Sequence, residues 1–180
     1  MQKYYTMKIA GLNRDLPICP LNDKLSIAGF VMFGDAELTV AAAEELLKKS
    51  PEFDVILTAE AKGIPLAYEM SRQSGKPYVV ARKKVAAYMK DSVSVTVHSI
   101  TTKGEQTLYL SADKAEWLKD KRVVLVDDVI STGESLIALE RLCESAGGTV
   151  AAREAVLAEG DAKDREDIIY LEPLPLFFNE

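Results

Sequence analysis

Residues 123–135 read VVLVDDVISTGES, an apolar run that ends in two carboxylates and continues into a short polar loop. In open α/β sheets, ligands bind beyond the carboxyl ends of the strands, which is where Asp127 and Asp128 are expected to emerge. The next five residues offer backbone N–H groups, hydroxyls and a positive helix end to one phosphate; they are Ser131, Thr132, Gly133, Glu134 and Ser135. Because like charges repel, the two carboxylates should face hydroxyl groups or a divalent cation rather than the phosphate.

The sequence around this stretch alternates strand and helix patterns. Apolar residues at helical spacing predict helices over 35–49, over 64–73 and from the end of the polar loop to Gly147-Gly148. Apolar and β-branched runs predict strands over 53–58, 77–81, 122–126 and 149–157, with a loop over 128–133. This order favours a parallel sheet, because parallel strands need crossover connections.

Two segments depart from that alternation. Between residues 82 and 110 apolar and polar residues alternate, which predicts two antiparallel strands joined by a turn at Lys103-Gly104. The tail, residues 168–178, is apolar but broken by Pro173 and Pro175, so we expect a short strand followed by an extended cover.

Composition narrows the class of protein. A chain of 180 residues, 48% apolar and 28% charged, is expected to form one compact domain without disulfides or metals. A net charge of -6 argues against broad nucleic-acid binding. Two cysteines and one histidine give neither a disulfide framework nor a structural zinc site. With no leader-like segment or apolar span, we expect a soluble cytoplasmic protein with no membrane or nucleic-acid partner.

The stretch 123–135 resembles the 13-residue signature of the type I phosphoribosyltransferases at every position. The resemblance implies that Asp127 and Asp128 bind the ribose hydroxyls of 5-phosphoribosyl-1-pyrophosphate (PRPP), and that residues 131–135 bind its 5′-phosphate. Residues 58–63, TAEAKG, resemble the family's pyrophosphate loop. Residues 81–84, ARKK, resemble the segment that contacts pyrophosphate in adenine and xanthine phosphoribosyltransferases.

The resemblance also implies a role for each side chain in these segments. Arg82 and Lys83 would stabilise the departing pyrophosphate, while Asp127 and Asp128 hold the sugar. Further pyrophosphate contacts are implied for Glu60, Ala61, Lys62, Gly63 and Lys84. Adenine enzymes usually carry another lysine near where this chain has Val85-Ala86-Ala87. Either Lys84 or Lys90 takes that role, or the loop chemistry is weaker here.

The implied fold is the α/β type I phosphoribosyltransferase fold, a mostly parallel central sheet flanked by helices, as one domain over 1–180. A small hood over the base would come from about 1–35 and 168–180, and the antiparallel excursion would be the family's flexible loop. The implied activity is transfer of phosphoribosyl from PRPP to a purine base, adenine first and xanthine or another 6-oxopurine next. The resemblance also implies a magnesium ion as cofactor and a homodimer. It does not identify direct magnesium ligands, although Asp127 and Asp128 could reach the ion through ribose or water.

Other protein classes fit the pattern less well. A non-catalytic module that senses PRPP or a nucleotide would use the same phosphate site, but such regulators usually add a DNA-binding helical region that is not obvious here. A pyrophosphokinase that makes PRPP would need an ATP site and a longer chain. A receiver domain needs its acidic pair near its first strand, and a P-loop protein needs a GxxxxGK[ST] motif, which is absent.

Overall fold

The computed structural model describes residues 3–98 and 105–178. The strands are β1 (Tyr4–Ile9), β2 (Leu12–Asn22), β3 (Leu25–Ala28), β4 (Val55–Ala59), β5 (Tyr78–Ala81), β6 (Val93–His98), β7 (Glu105–Leu110), β8 (Arg122–Ile130), β9 (Thr149–Glu159), β10 (Ile169–Leu174) and β11 (Leu176–Phe178). The α-helices are α1 (Ala36–Lys49), α2 (Ile64–Ser74), α3 (Ala112–Leu118) and α4 (Glu134–Ser145). A 3₁₀ turn covers Gly160–Asp164. No helix in these two ranges is long and apolar enough to cross a membrane.

The central sheet is parallel throughout, in the strand order β10-β9-β8-β4-β5. Its inner strands are apolar along their length because both of their faces are covered. One face packs against α3, α4 and the β6-β7 ribbon through Leu108, Leu118 and Leu139. The other face packs against α1 and α2 through Leu38, Leu46 and Leu66. The expected parallel α/β sheet with helices on both faces is confirmed.

The hood is a second sheet, antiparallel, in the order β1-β2-β3-β11. Its N-terminal strands come from residues 4–28, and β11 is supplied by the tail, where Leu176 pairs with Ile27. The tail therefore crosses from the central sheet, as β10, into the hood, as β11, within a few residues. This arrangement places a lid of antiparallel strands beside the carboxyl ends of the parallel strands.

Three features of the fold differ from the sequence predictions. Strand β8 runs to Ile130 rather than ending at Val126, because β9 continues to pair with it as far as Ile130–Ala158. The predicted loop over 128–133 is therefore wrong for its first three residues. The N-terminal hood strands and α3 were not predicted as elements. The predicted antiparallel pair is confirmed as β6 and β7, while the predicted turn at Lys103-Gly104 lies outside the described residues.

Candidate active site

The two carboxylates lie where β8 loses one of its neighbours. Strand β4 pairs with β8 only as far as Thr58–Val126, whereas β9 accompanies β8 to its end. Asp127 and Asp128 are therefore the first residues of β8 beside which β4 no longer pairs. The Asp128 backbone N–H donates to Oδ1 of Asp127 at 2.8 Å. The geometry thus places two adjacent carboxylates at a gap in the sheet, as expected for a ligand site at strand ends.

The electrostatics of this pair favour a ligand. Burial, reinforced by the neighbouring Asp128 charge, raises the pKa of Asp127 above its ordinary value, and the Lys62 ammonium acts in the opposite direction. Asp128 is only 2% exposed, and its Oδ2 has no hydrogen-bond partner. Lys62 Nζ lies 3.2 Å from that oxygen, an ion pair without hydrogen-bonding geometry. A hydroxyl or a cation placed here would satisfy an acceptor that the protein leaves open.

The predicted phosphate loop connects β8 to α4. It contains Gly133, whose φ of +81° lies in the left-handed region that glycine adopts without strain. A β-carbon on Gly133 would also meet Nη1 of Arg165. The guanidinium of Arg165 is held by Asp167, to which its Nε and Nη2 donate at 2.9 and 2.7 Å. The N-cap residue of α4 is Gly133, which has no side chain to cap the helix, whereas Asp35 caps α1 by accepting from the Leu38 N–H at 3.0 Å. An uncapped helix start next to a glycine turn suits an anion.

Residues 127 and 129–136 enclose a small cavity of about 40 Å³ at this loop. All five predicted phosphate-binding residues line it, namely Ser131, Thr132, Gly133, Glu134 and Ser135. Ser131 and Ser135 also line a larger cavity that contains the carboxylate pair. The loop and the carboxylates therefore belong to one continuous site.

The predicted pyrophosphate loop packs directly against the carboxylate strand. Gly63 has an ordinary φ of -76°, so space rather than backbone conformation requires glycine there. A β-carbon at this position would collide with Oγ1 of Thr58 and lie 3.3 Å from Cα of Asp127. The peptide bond between Glu60 and Ala61 is cis. The close approach at Gly63 brings Lys62 to the Asp128 carboxylate.

Glu60 anchors the basic segment that follows β5. Its Oε2 accepts from Nε of Arg82 at 2.6 Å, and its Oε1 accepts from the backbone N–H of Lys83 at 2.6 Å. The Arg82 backbone also bridges to Tyr109 of β7, and its guanidinium donates to the Tyr88 hydroxyl. These contacts tie the pyrophosphate loop, the basic segment and the β6-β7 ribbon into one unit.

The basic side chains do not all face the same space. Lys83 lines the cavity that contains the carboxylates, whereas Arg82 lines a neighbouring groove of about 930 Å³ beside β5. That groove is larger, but neither the carboxylate pair nor the phosphate loop lines it. Lys84 and Lys90 are exposed and line neither space. In this conformation Lys62 and Lys83 are the cations that face the carboxylates.

The central cavity has a volume of about 560 Å³ and extends from the phosphate loop to the hood. Its hood end is lined by residues 27–31, by Val129 of β8 and by Leu174 of β10. Two polar residues that the sequence reasoning did not single out also line it, Glu159 at the end of β9 and Gln106 of β7. For Glu159 the available signal was the same as for Asp127, a carboxylate directly after an apolar strand.

The same cavity suits a magnesium ion that is shared with a substrate. Within residues 3–98 and 105–178, no group of three histidine, cysteine, aspartate or glutamate residues could hold a metal. Magnesium often binds through one or two carboxylates together with substrate phosphates and water. The open Oδ2 of Asp128 and the adjacent Asp127 provide hard oxygen donors of that kind. These residues fit an ion that arrives with a phosphorylated ligand.

Comparison with known proteins agrees with this geometry. The family model described as "Phosphoribosyl transferase domain" matches residues 35–172. A hypoxanthine/guanine phosphoribosyltransferase of Methanococcus voltae is 36% identical over 137 residues, which cover 76% of this chain and 70% of that protein. A xanthine phosphoribosyltransferase of Brevibacillus brevis is 32% identical over 111 residues, covering 61% of this chain and 56% of the relative.

Among solved structures, an adenine phosphoribosyltransferase from Thermoanaerobacter pseudethanolicus superposes with a TM-score of 0.66 at 27% identity. The superposition covers 77% of this chain and 82% of that one. The likeness confirms the type I phosphoribosyltransferase fold expected from the signature. The family match extends over more than half of the chain and contains the carboxylates, the phosphate loop and the pyrophosphate loop. The chain therefore belongs to the phosphoribosyltransferase family, a family of pentosyl-transferring enzymes.

Proposed function

We propose that the protein transfers 5-phosphoribosyl from PRPP to a purine base and releases pyrophosphate, with adenine the favoured base and a 6-oxopurine next. The observation that carries this proposal is the cavity of about 560 Å³, which joins a phosphate loop, a carboxylate pair and a pyrophosphate loop beneath an apolar hood. Each of these parts suits one portion of the reacting pair. The curated relatives are named for 6-oxopurines and the solved structure for adenine, which supports a purine as acceptor.

The ligand is proposed to span the cavity in a definite order. Its 5′-phosphate lies against residues 131–135 and the start of α4, where backbone N–H groups and the helix dipole favour negative charge. The ribose hydroxyls donate to Asp127 and Asp128, which relieves their mutual repulsion. The pyrophosphate lies between the loop at 60–63 and Lys83. The base then occupies the remaining space under the hood.

In the proposed reaction a ring nitrogen of the base forms a bond to ribose C1 as the bond from C1 to pyrophosphate breaks, and the proton of that nitrogen passes to the departing pyrophosphate. Positive charge develops on the sugar and negative charge on the leaving group. Lys62 and Lys83 would stabilise the leaving group, and the carboxylates would hold the sugar in line. Magnesium, bound with PRPP, would neutralise further charge on the pyrophosphate. Closure of the hood and the β6-β7 ribbon would exclude water, which could otherwise hydrolyse the activated sugar.

The proposal is tested by incubating the protein with Mg²⁺, PRPP and each of adenine, guanine, hypoxanthine and xanthine. We expect a nucleoside monophosphate and pyrophosphate from at least one of these purines. Asp127→Asn combined with Asp128→Asn should abolish transfer while leaving the thermal unfolding midpoint close to that of the unmodified protein. Tight PRPP binding without product from any base would instead support a sensor.

The remaining expectations carried by the family resemblance join this proposal. We propose that residues 1–180 form a single domain and that the protein acts in the cytoplasm as a homodimer, without a nucleic-acid or membrane partner. Sedimentation of the purified protein tests the oligomer, because a species of 19.8 kDa would be a monomer and one of about twice that mass a dimer.

A further inference from the structure

Glu159 is the one ionisable side chain of the central cavity, among the described residues, that the proposed PRPP contacts leave unused. Pyrophosphate, sugar and phosphate account for residues 60–62, Lys83, the carboxylate pair and the serines of the phosphate loop. What remains is apolar apart from Glu159 and Gln106. Because Glu159 lies in the part of the cavity that is left for the base, its charge should influence which purine binds there.

The position of Glu159 places it under the hood. It is the last residue of β9, and Leu174 of β10 is its Cα partner. After Leu174 the chain enters the hood as β11. Gly160, the residue after Glu159, packs closely against this strand, because a β-carbon on it would lie 2.9 Å from Cδ1 of Leu176. Leu176 in turn pairs with Ile27, which lines the cavity. Glu159 therefore lies at the junction between the central sheet and the hood.

The carboxylate of Glu159 has no hydrogen-bonding partner within the part of the chain that the structure describes. It accepts no hydrogen bond there and forms no ion pair within 4.0 Å, and its side chain is partly buried. Burial raises its pKa, while the Lys62 charge acts in the opposite direction. A partly desolvated carboxylate with open lone pairs is suited to a ligand that donates hydrogen bonds.

From this geometry we propose, on the basis of the proposed transferase function, that Glu159 selects purines that carry an exocyclic amino group. A carboxylate only accepts hydrogen bonds. Adenine offers its 6-amino group, and guanine offers its 2-amino group together with the adjacent ring N–H. A 6-oxo group turned toward Glu159 would instead bring two hydrogen-bond acceptors, the carbonyl oxygen and the carboxylate, face to face. Hypoxanthine and xanthine have no amino group and lose at least one of these hydrogen bonds.

The test is equilibrium binding of AMP, GMP and IMP, measured by calorimetry on the unmodified protein, on Glu159→Gln and on Glu159→Asp. The unmodified protein should bind AMP or GMP about tenfold or more tightly than IMP, because a hydrogen bond to a charged group is worth that factor. Whichever of AMP and GMP shows the preference identifies the amino group that is recognised. In Glu159→Gln the preference should fall to about threefold or less, since the amide can both donate and accept.

Two further variants separate recognition from structure. Glu159→Asp keeps a carboxylate and should keep the direction of the preference. Glu172→Gln removes the same charge from a neighbouring strand, at a different cavity that it shares with Glu45 and Lys49, and should leave the preference unchanged. A merely structural role for Glu159 would weaken all three nucleotides equally. An unchanged preference in Glu159→Gln, or IMP binding as tight as AMP and GMP in the unmodified protein, would overturn the inference.

The same variants distinguish this inference from the proposed function. If no base is converted but the nucleotide preference still depends on Glu159, the transferase proposal fails and the inference stands. If transfer occurs and Glu159→Gln uses adenine, guanine and hypoxanthine in the same ratios of kcat/KM as the unmodified protein, the transferase proposal stands and the inference is refuted.

Discussion

Replacing Glu154 by glutamine should change how the stability of the protein depends on pH. Glu154 lies in β9 with no exposed surface; one carboxylate oxygen accepts from Oγ of Ser50 at 2.9 Å and the other has no partner. Burial raises its pKa from 4.5 to about 7, and the Ser50 hydrogen bond partly opposes that rise. Between pH 4.5 and about 7, the Glu154 carboxyl therefore keeps its proton in the folded protein but loses it in the unfolded chain.

The sign and size follow from that difference. Below its unfolded pKa the carboxyl is protonated in both states and costs nothing. As the pH rises toward 7 the unfolded chain ionises first, so the free energy of unfolding falls. Each pKa unit corresponds to about 1.4 kcal/mol, and the loss between pH 5 and pH 8 is about 2.5 kcal/mol. Glu154→Gln cannot ionise, so it should lack this part of the decline.

The assay is urea unfolding of both proteins at pH 5 and pH 8. The difference in unfolding free energy between Glu154→Gln and the unmodified protein should shift in favour of the variant by about 2.5 kcal/mol at the higher pH. Ser50→Ala is the matched control: it keeps the carboxyl but removes the donor that favours the charged form, so the decline with pH should persist and steepen. Parallel pH profiles for Glu154→Gln and the unmodified protein would refute the reasoning.

Three shorter predictions concern the candidate site. Gly63→Ala should lower the unfolding free energy by about 1–3 kcal/mol and weaken PRPP binding, since the new methyl group collides with Oγ1 of Thr58 and crowds the backbone of Asp127. Gly75→Ala, at a positive φ with open space around it, should destabilise the fold but leave PRPP binding intact. Equal PRPP binding by both variants would contradict the close approach at Gly63. Lys62→Met removes a cation that lowers the pKa of Asp127, so the pH midpoint of PRPP binding should move upward in a titration. An unchanged midpoint would argue against this electrostatic effect. Gly133→Ala puts a β-carbon at a positive φ and against Arg165. It should weaken binding of ribose 5-phosphate more than binding of pyrophosphate. Equal losses of affinity for the two ligands would place the 5′-phosphate site elsewhere.

The inner strands of the central sheet could be predicted from sequence because they are largely buried on both faces and therefore appear as continuous apolar runs. The end of β8 could not. Its last residues, Asp127 to Ile130, include two carboxylates that usually mark a loop, yet β9 pairs with them as far as Ala158. Strand pairing of this kind depends on a partner distant in the chain, which local pattern does not report.

The hood was located by resemblance, but its strands were not predicted as elements. One face of β1 and β2 remains exposed, which gives only short alternating segments, and Pro17 and Pro20 interrupt the strand pattern within β2. Its fourth strand comes from the opposite end of the chain. Glu159 was missed for a related reason. It becomes part of the site only where β9, the tail and the hood meet, although its place at a strand end was visible in the sequence.

The most direct test of the account is a transfer reaction with PRPP, Mg²⁺ and adenine or guanine, followed by simultaneous measurement of nucleoside monophosphate and pyrophosphate. We expect equal amounts of both products from the unmodified protein and neither from Asp127→Asn combined with Asp128→Asn. Full activity in the double variant would contradict the assignment of the carboxylate pair. Pyrophosphate and nucleotide both absent from the unmodified protein with every purine would contradict transfer itself.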